Sequence, residues 1–516
     1  MLGGKIYLTS MNLIADLWPL ALLVLLTTLL TEWATKAGKF PYWIGRKILH
    51  FVAVGSCALA VRMTDDLNSL FWLILPVWLL LFYLIATNKL MRDERGRPAW
   101  GIVWFPFAYL ILLWFYAQEP RWIYLSMLIL AISDPLATIF GKLFGKLKYS
   151  LSGEPKSLTG NAAFSISCLV ILSYSVPYHF EYGFIHDFGL FLYLIVILLT
   201  VAEALGSYGS DNLHIPLFAI WLLSDPQDLT MLSPVIVVLM LAIPFIWLTV
   251  RSQKLTLGAA ITATLLAIIV TFKSGSYLPL LPLIFFFGSS LLLEKIFPTK
   301  VLSDSKDRRS RDIMQVMANG GVYGAIFLFL PELTREFIGV SQTGKVAVSL
   351  YEAQRESVVL GRFLLGMGLV SLAVATADTW ASTIGKRFAK TAFDPFRWQK
   401  VPAGLSGGIS LPGTLAALLG SVGIASFLYL LLPDWRLIIP HLIMISIAGF
   451  GGMLVDSFLG SRLQRQYFYA GRWHDTPPDS GTPGQTRGLS WMTNDVVNLV
   501  SIMLVCGTLG LIFLLR

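Results

Sequence analysis

Asp134 and Asp378 each open a 27-residue phrase that recurs along the chain without a gap: DPLATIFGKLFGKLKYSLSGEPKSLTG and DTWASTIGKRFAKTAFDPFRWQKVPAG. The pairs Asp134/Asp378, Ala137/Ala381, Gly141/Gly385, Lys142/Lys386, Phe144/Phe388, Lys146/Lys390, Lys156/Lys400 and Gly160/Gly404 are identical. Apolar identities would mean little here, but a repeated carboxylate, lysines and glycines are the residue types that hold a metal and a polyphosphate. A second pair of phrases lies upstream, Arg46 to His50 closing on Gly55 and Arg311 to Gln315 closing on Gly320, with the glycine nine residues after the arginine in both. The pattern predicts two related units in tandem.

Composition sets the medium in which these residues must work. Of 516 residues 56% are hydrophobic and 13% charged, with a mean hydropathy of +0.70. That balance excludes a soluble domain and predicts an all-α, polytopic transmembrane bundle. Apolar runs from 11–31 to 494–514, with an ambiguous one at 215–224, give about 15–16 spans. Lysine- and arginine-rich loops such as Lys89 to Arg97, Lys142 to Lys156, Lys295 to Arg311 and Lys386 to Lys400 alternate with cation-poor ones such as Glu181 to Asp187 and Asp225 to Asp228. By the positive-inside rule the cationic side is cytoplasmic, so both phrases face the nucleotide pool, both termini lie outside and the repeats are parallel. The net charge of +9 is spread over these loops, which fits topology and anionic membrane lipids and gives no reason to expect nucleic acid. Cys57, Cys168 and Cys506 lie in apolar segments without metal-ligand spacing, and the first span reads as a retained anchor. The seam is placed near the basic loop at Arg251, dividing 1–250 from 251–516. Arg465 to Arg487 reads as a flexible loop and Ser341 to Glu356 as a short amphipathic helix.

Each aspartate ends an apolar helix, where an ionised carboxylate is costly without compensation. Mg2+ bridging nucleotide phosphates is the natural occupant, because it accepts one or two protein carboxylates and fills its shell with phosphate and water; a solvated helix-end aspartate is the alternative. Lys142, Lys146, Lys156, Lys386, Lys390 and Lys400, with Arg46, Lys47 and Arg311, can neutralise phosphates, although topology alone also favours cations in these loops. Lys156 and Lys400 stand before Gly/Ser/Thr-rich helix starts whose free N–H groups suit phosphate: Ser157 to Gly160 in one unit, and Gly404, Gly407, Gly408 and Ser410 in the other. Small residues can equally serve helix packing. Further acids recur at helix ends, Glu203 with Asp211 in the first unit and Asp456 with Asn494 and Asp495 in the second. They complete the metal site, position the acceptor or act as polar glue. His50 faces Gln315 across the repeat, with Asn319 one turn beyond. An alcohol acceptor profits from a general base such as histidine, and an anionic phosphate monoester needs none. Packing or a lipid headgroup would explain His50 as well.

These residues resemble two known families. Positions 46–217, with RKILHFVAVG, SDPLATIFGKLFGK, KSLTG and EALGSYGSDNLHIPL, resemble the phytol kinase and dolichol kinase family of polyprenol kinases. Positions 311–505, with QVMANGG, TADTWASTIGK, KVPAGLSGGISLPGT, GGMLVDSFLGSRLQ and NDVVNL, resemble the phytyl-phosphate kinases. A more distant likeness is to phosphatidate cytidylyltransferases. The resemblance implies CTP as phosphate donor, Mg2+ as cofactor, and an isoprenoid alcohol and its monophosphate as acceptors, the product being phytyl diphosphate for tocopherol, phylloquinone or chlorophyll synthesis. It also implies residence in a cell inner membrane or a thylakoid-type membrane. A lipid cytidylyltransferase or a two-repeat transporter are the alternatives. GxxxxGK[ST] is absent from the sequence, which argues against ordinary P-loop machinery.

Overall fold

A computed structural model describes residues 3–64, 66–87, 99–175, 185–224, 232–274, 276–297, 310–339, 347–431, 435–469, 471–478 and 484–515. The loops at Lys89 to Arg97 and Asp225 to Asp228, and most of Lys295 to Arg311, lie outside the described residues. The protein is mostly helical and multi-pass. Among the described residues, nine helices are long and apolar enough to cross a bilayer, and six shorter apolar helices accompany them. Many carry large apolar side chains on their outer faces, such as Leu30, Leu80, Ile243 and Ile447, the surface a helix presents to lipid rather than to water.

The chain forms two compact units, Met1–Leu229 and Thr230–Arg516. In the first, α1 (Gly3–Lys36), α2 (Tyr42–Met63), α3 (Leu67–Ala86) and α4 (Gly101–Phe115) lead to α5 (Pro120–Phe144). Pro120 starts α5 at a position where the missing N–H costs nothing. This helix is the core of the unit: it packs against α2, α6 (Leu158–Ser175) and α8 (Asp211–Leu223), and Ile123, Met127, Ile129, Leu130 and Ala131 are fully enclosed. The helix α7 (Ile185–Leu205) closes onto α6 and α8.

In the second unit α9 (Leu232–Arg251), α10 (Leu257–Ser274), α11 (Leu280–Ile296) and α12 (Ile313–Gly339) precede α13 (Ala347–Phe388), which packs against α11, α12, α14 (Leu411–Ala425), α16 (Trp435–Arg462) and α17 (Asn494–Leu514). The four-residue α15 (Leu428–Leu431) precedes α16. Leu369, Val370, Leu372 and Ala373 of α13 form a core with Val270, Tyr323 and Phe327. The seam falls before α9, which packs on α10, so this helix sits with the second unit and not with the first. The spans of α5 and α13 are the most enclosed of the nine, and they carry Asp134 and Asp378.

Three features differ from the sequence expectations. The span expected from 404 begins at Leu411, because Ser410 caps α14 by accepting a hydrogen bond from Gly413 N, and 404–410 is an irregular loop. The described part of Ser341 to Glu356 continues without a break into α13. Much of Arg465 to Arg487 is not a flexible loop but a three-stranded sheet in the order β6-β5-β7: β5 (Gln466–Tyr469), β6 (Arg472–His474) and β7 (Gln485–Arg487). Aromatic residues suit such strands, and Phe468 pairs with Trp473 across the ladder, rings 5.2 Å apart. Two short hairpins complete the polar loops: β1 (Lys148–Tyr149) with β2 (Lys156–Ser157), and β3 (Thr391–Asp394) with β4 (Gln399–Pro402).

Candidate functional site

In the first unit the titratable residues form a chain of ion pairs. Lys47 Nζ lies 2.6 Å from Asp134 Oδ2, and His50 Nε2 lies 3.4 Å from the same oxygen and 3.4 Å from Leu130 O. Lys156 Nζ reaches Glu203 Oε1 at 2.6 Å and Asp211 Oδ2 at 3.5 Å. Glu203 is buried, and its second oxygen Oε2 has no partner. Burial alone would lower the pKa of Lys156, but the carboxylates of Asp211 and Glu203 outweigh it and hold the ammonium above the usual lysine range. The remaining candidates stand further out: Arg46 lies over the Tyr42 ring, Lys142 over Trp43 at 4.5 Å, and Lys146 is exposed.

The second unit contains a cavity of about 920 Å3. Asp378, Asp456, Asn494 and Asp495 line it, together with Arg311, Gln315, Asn319, Lys386, Gly404, Gly407, Gly408 and Ser410. Gly404 has φ +92°, and the stem of Lys386 occupies the space where a Cβ would sit. Asp456 Oδ2 accepts from Ser501 Oγ at 3.3 Å, and Asn498, with its amide nitrogen turned inward, donates to the same oxygen at 3.1 Å. Arg311 is held by Glu294 Oε1 at 2.5 Å and Ser290 Oγ at 3.0 Å. Away from this polar end the wall is apolar, with Leu241, Phe245, Leu266, Leu283, Ile284 and Phe287 from α9, α10 and α11. Lys390 and Lys400 are exposed residues of the β3–β4 region and are not among the residues lining the cavity.

The geometry also changes the register between the phrases. In the first unit Ser157 Oγ accepts from Gly160 N at 3.1 Å, and a Cβ on Gly141 would lie 2.9 Å from that oxygen. Ser410 Oγ stands in the same relation to Gly413 N, at 3.3 Å, and to Gly385, at 3.0 Å. A Cβ on Gly160 would meet Ala137 O at 2.7 Å, and one on Gly413 would meet Ala381 O at 2.9 Å. Ser157-Leu-Thr-Gly160 therefore matches Ser410-Leu-Pro-Gly413, and the gapless pairs Lys156/Lys400 and Gly160/Gly404 are displaced by a longer loop in the second unit. On this register Ile409 stands where Lys156 does, and the upstream phrases set Asp312 against Lys47.

Oxygen donors of carboxylate and amide type suit a hard divalent cation, and Asp378, Asp456 and Asn494 supply such a set along one cavity wall. The first unit fits less well, since Lys47 and Lys156 already take its carboxylates. Among the described residues no group of three or more His, Cys, Asp or Glu is arranged to hold a metal, so a cation would need phosphate oxygens to complete its shell.

The family described as integral membrane protein DUF92 matches residues 240–506, just over half of the chain. The chain belongs to that family. The DUF92 region contains the cavity lining from Leu241 to Asn498, all but Val238, and none of the candidate residues of the first unit. Protein VTE6, chloroplastic, from Arabidopsis thaliana is 30% identical over 174 residues, 33% of this chain and 44% of that protein, so the chain spans less than half of this relative. Protein PGR from the same plant is 28% identical over 278 residues, 49% of this chain and 87% of that protein. No solved structure matches the chain.

Sequence reasoning named Asp378, Asp456 and Asp495 of this cavity but missed Asp475, Thr476, Arg472 and His474, which line it from the β6 end. The aromatic-rich runs Gln466-Tyr-Phe-Tyr469 and Arg472-Trp-His474, flanking a glycine, were the available signal.

Proposed function

We propose that this DUF92 protein is a tandem membrane kinase of isoprenoid acceptors. In this reading the first unit phosphorylates an alcohol such as phytol, and the second converts the monophosphate to the diphosphate with CTP as donor. The observation that carries it is the cavity of about 920 Å3 in the second unit, polar at the Asp378 and Asp456 end and apolar along α9, α10 and α11. A ligand with an anionic head and a hydrocarbon tail matches both walls, and burying each methylene of the tail contributes about 0.8 kcal/mol.

In the second unit an oxygen of the acceptor monophosphate attacks the γ-phosphorus of CTP as the bond from that phosphorus to the bridging β-oxygen breaks, and CDP leaves. The acceptor is already anionic, which suits Gln315 in place of a base. Lys386 and the N–H groups of Gly404, Gly407 and Ser410 neutralise the phosphate oxygens, and Arg311, held by Glu294, orients the head. A magnesium ion bound by Asp378 and Asp456 would supply charge neutralisation between the phosphates.

In the first unit His50 accepts the alcohol proton while Lys47 and Lys156 face the phosphates. The same reading sets both sites toward the cytoplasm and makes the halves parallel repeats. A cytidylyltransferase would release pyrophosphate instead of CDP.

The test incubates purified protein with labelled CTP and a panel of isoprenoid alcohols and monophosphates, and identifies the nucleotide product. Labelled diphosphate lipid with CDP is expected. Pyrophosphate release, or uptake into proteoliposomes without nucleotide turnover, would overturn the proposal.

A further inference from the structure

The loop from Gly404 to Ser410 carries two glycines in the left-handed region, Gly404 at φ +92° and Gly407 at φ +91°. Of the loop's N–H groups, those of Leu405, Ser406, Gly408 and Ile409 bond within the protein and those of Gly404, Gly407 and Ser410 are left for an anion, but glycine loses more conformational entropy on ordering than any other residue. Something outside the loop must hold it.

The three-stranded sheet does so. Asp475, immediately after β6, accepts hydrogen bonds through Oδ2 from Ser406 N at 3.0 Å and Ser406 Oγ at 3.1 Å. Its other oxygen accepts from Gln466 Nε2 at 2.9 Å, and Gln466 Oε1 in turn accepts from Arg487 Nε at 2.7 Å. Gln466 is fully buried, so its amide has no freedom to trade partners. The opposite flank is closed by α16: a Cβ on Gly407 would lie 2.5 Å from Ser461 Cβ. Ser461 Oγ donates to Asp394 Oδ2 at 2.7 Å, and Arg397 donates to Ser461 O through Nε at 2.9 Å and Nη2 at 2.6 Å. The corresponding loop of the first unit is shorter and pairs through Ser152 Oγ to Gly206 O at 3.4 Å.

We infer that Asp475 is a positioning residue for the second reaction: it holds the glycine loop in its anion-binding shape before the nucleotide arrives, with Gln466 and Arg487 fixing Asp475 from behind. This rests on the reading that the second cavity takes a nucleoside triphosphate. The sheet then belongs to the donor side of the site, and the apolar wall of α9, α10 and α11 to the acceptor side.

The test uses the full-length protein in detergent and two readouts. Amide hydrogen exchange without nucleotide reports the loop itself: Asp475→Ala should accelerate exchange across 403–410, and Asp475→Asn, which keeps an acceptor for Ser406 N, should do so less. Steady-state kinetics report its use: Asp475→Ala should raise KM for CTP about tenfold, because the nucleotide must then order the loop that Asp475 otherwise holds ready. Its kcat and the KM for the prenyl monophosphate should change little, and Ser406→Ala should show a smaller rise. Unchanged loop exchange in Asp475→Ala would overturn the inference, as would a fall in kcat with an unaltered KM for CTP. Should Asp475→Ala speed loop exchange while CTP gives the wild-type loop no protection and no diphosphate lipid forms, the kinase reading fails while Asp475 keeps its hold on the loop.

Discussion

Two acidic centres of similar layout differ in how far their own cations balance them. Around Asp134 each carboxylate has a lysine: Lys47 on Asp134, and Lys156 shared by Glu203 and Asp211. Among the described residues neither Asp378 nor Asp456 has a direct ion-pair partner: Asp378 feels the Lys386 ammonium at longer range, and Asp456 accepts from hydroxyl and amide groups, Ser501 and Asn498. The positions of the two lysines are taken by Asp312, which caps α12 through Gln315 N at 3.0 Å, and by Ile409. The lesson is that the first centre is largely neutralised by its own lysines, whereas in the second Lys386 offsets Asp378 and the rest of the compensating charge must come from what it binds. Asp378 and Asp456 are half-buried, and a carboxylate at the end of a membrane helix is costly until a cation compensates it, so the second site favours cation and ligand together.

The sharpest way to break this contrast is to remove the acids of the second centre. Asp378→Asn or Asp456→Asn should slow monophosphate conversion by about 10^2 to 10^3 and leave alcohol phosphorylation unaltered; labelled CTP assays should show monophosphate accumulating. Equal loss of both steps would mean that the centres do not act separately. Lys156→Met leaves Glu203 and Asp211 without their cation, and breaking a buried pair in this way costs about 3–5 kcal/mol. Thermal unfolding should register that loss along with failure of the first step.

His50→Gln makes the first unit resemble the second at one residue. Alcohol phosphorylation should fall by about 10^2 or more, with conversion of supplied monophosphate intact. Ile409→Lys is the reverse exchange, an ammonium introduced beside the second centre. It should raise the magnesium concentration that half-saturates the second step by roughly two- to fivefold; an unchanged titration would argue against cation binding by these acids. The smallest expected effect is a null one. With its pKa raised in the folded protein, Lys156 stays charged below the unfolded lysine value near 10.4, so its contribution to stability is fully present there and is lost only as pH rises through its still higher folded value. Between about pH 6 and 9 neither stability nor the first step should show a limb from this residue.

Much of this was legible in the sequence, and the failures have physical causes. Helical spans follow from apolar run lengths, and Asp134 and Asp378 stand out because carboxylates are rare in such runs. The register failed at the loop. A gapless match rewards the chance identity of Lys400 and Gly404, while the contact that aligns the units, a serine hydroxyl against two glycines, spans only Ser157 to Gly160 and Ser410 to Gly413. The Lys47–Asp134 pair crosses 87 residues and depends on α2 packing against α5, which spacing along the chain does not encode. The sheet was hidden by the proline, glycine and serine between its strands, which favour a loop by composition although the strands themselves are aromatic.

The 42-residue length of α13 has a practical consequence. At 1.5 Å per residue it measures about 63 Å, roughly twice the hydrocarbon thickness of about 30 Å. Asp378 stands about 15 Å from its C-terminal end, and its first turns lie ahead of the span that begins at Val359, so the helix is long enough to reach beyond the opposite boundary of the lipid. That protruding stem is a natural flagpole. A single cysteine introduced there, probed with a membrane-impermeant thiol reagent, would report which compartment lies across the bilayer from the acidic pair without touching the chemistry.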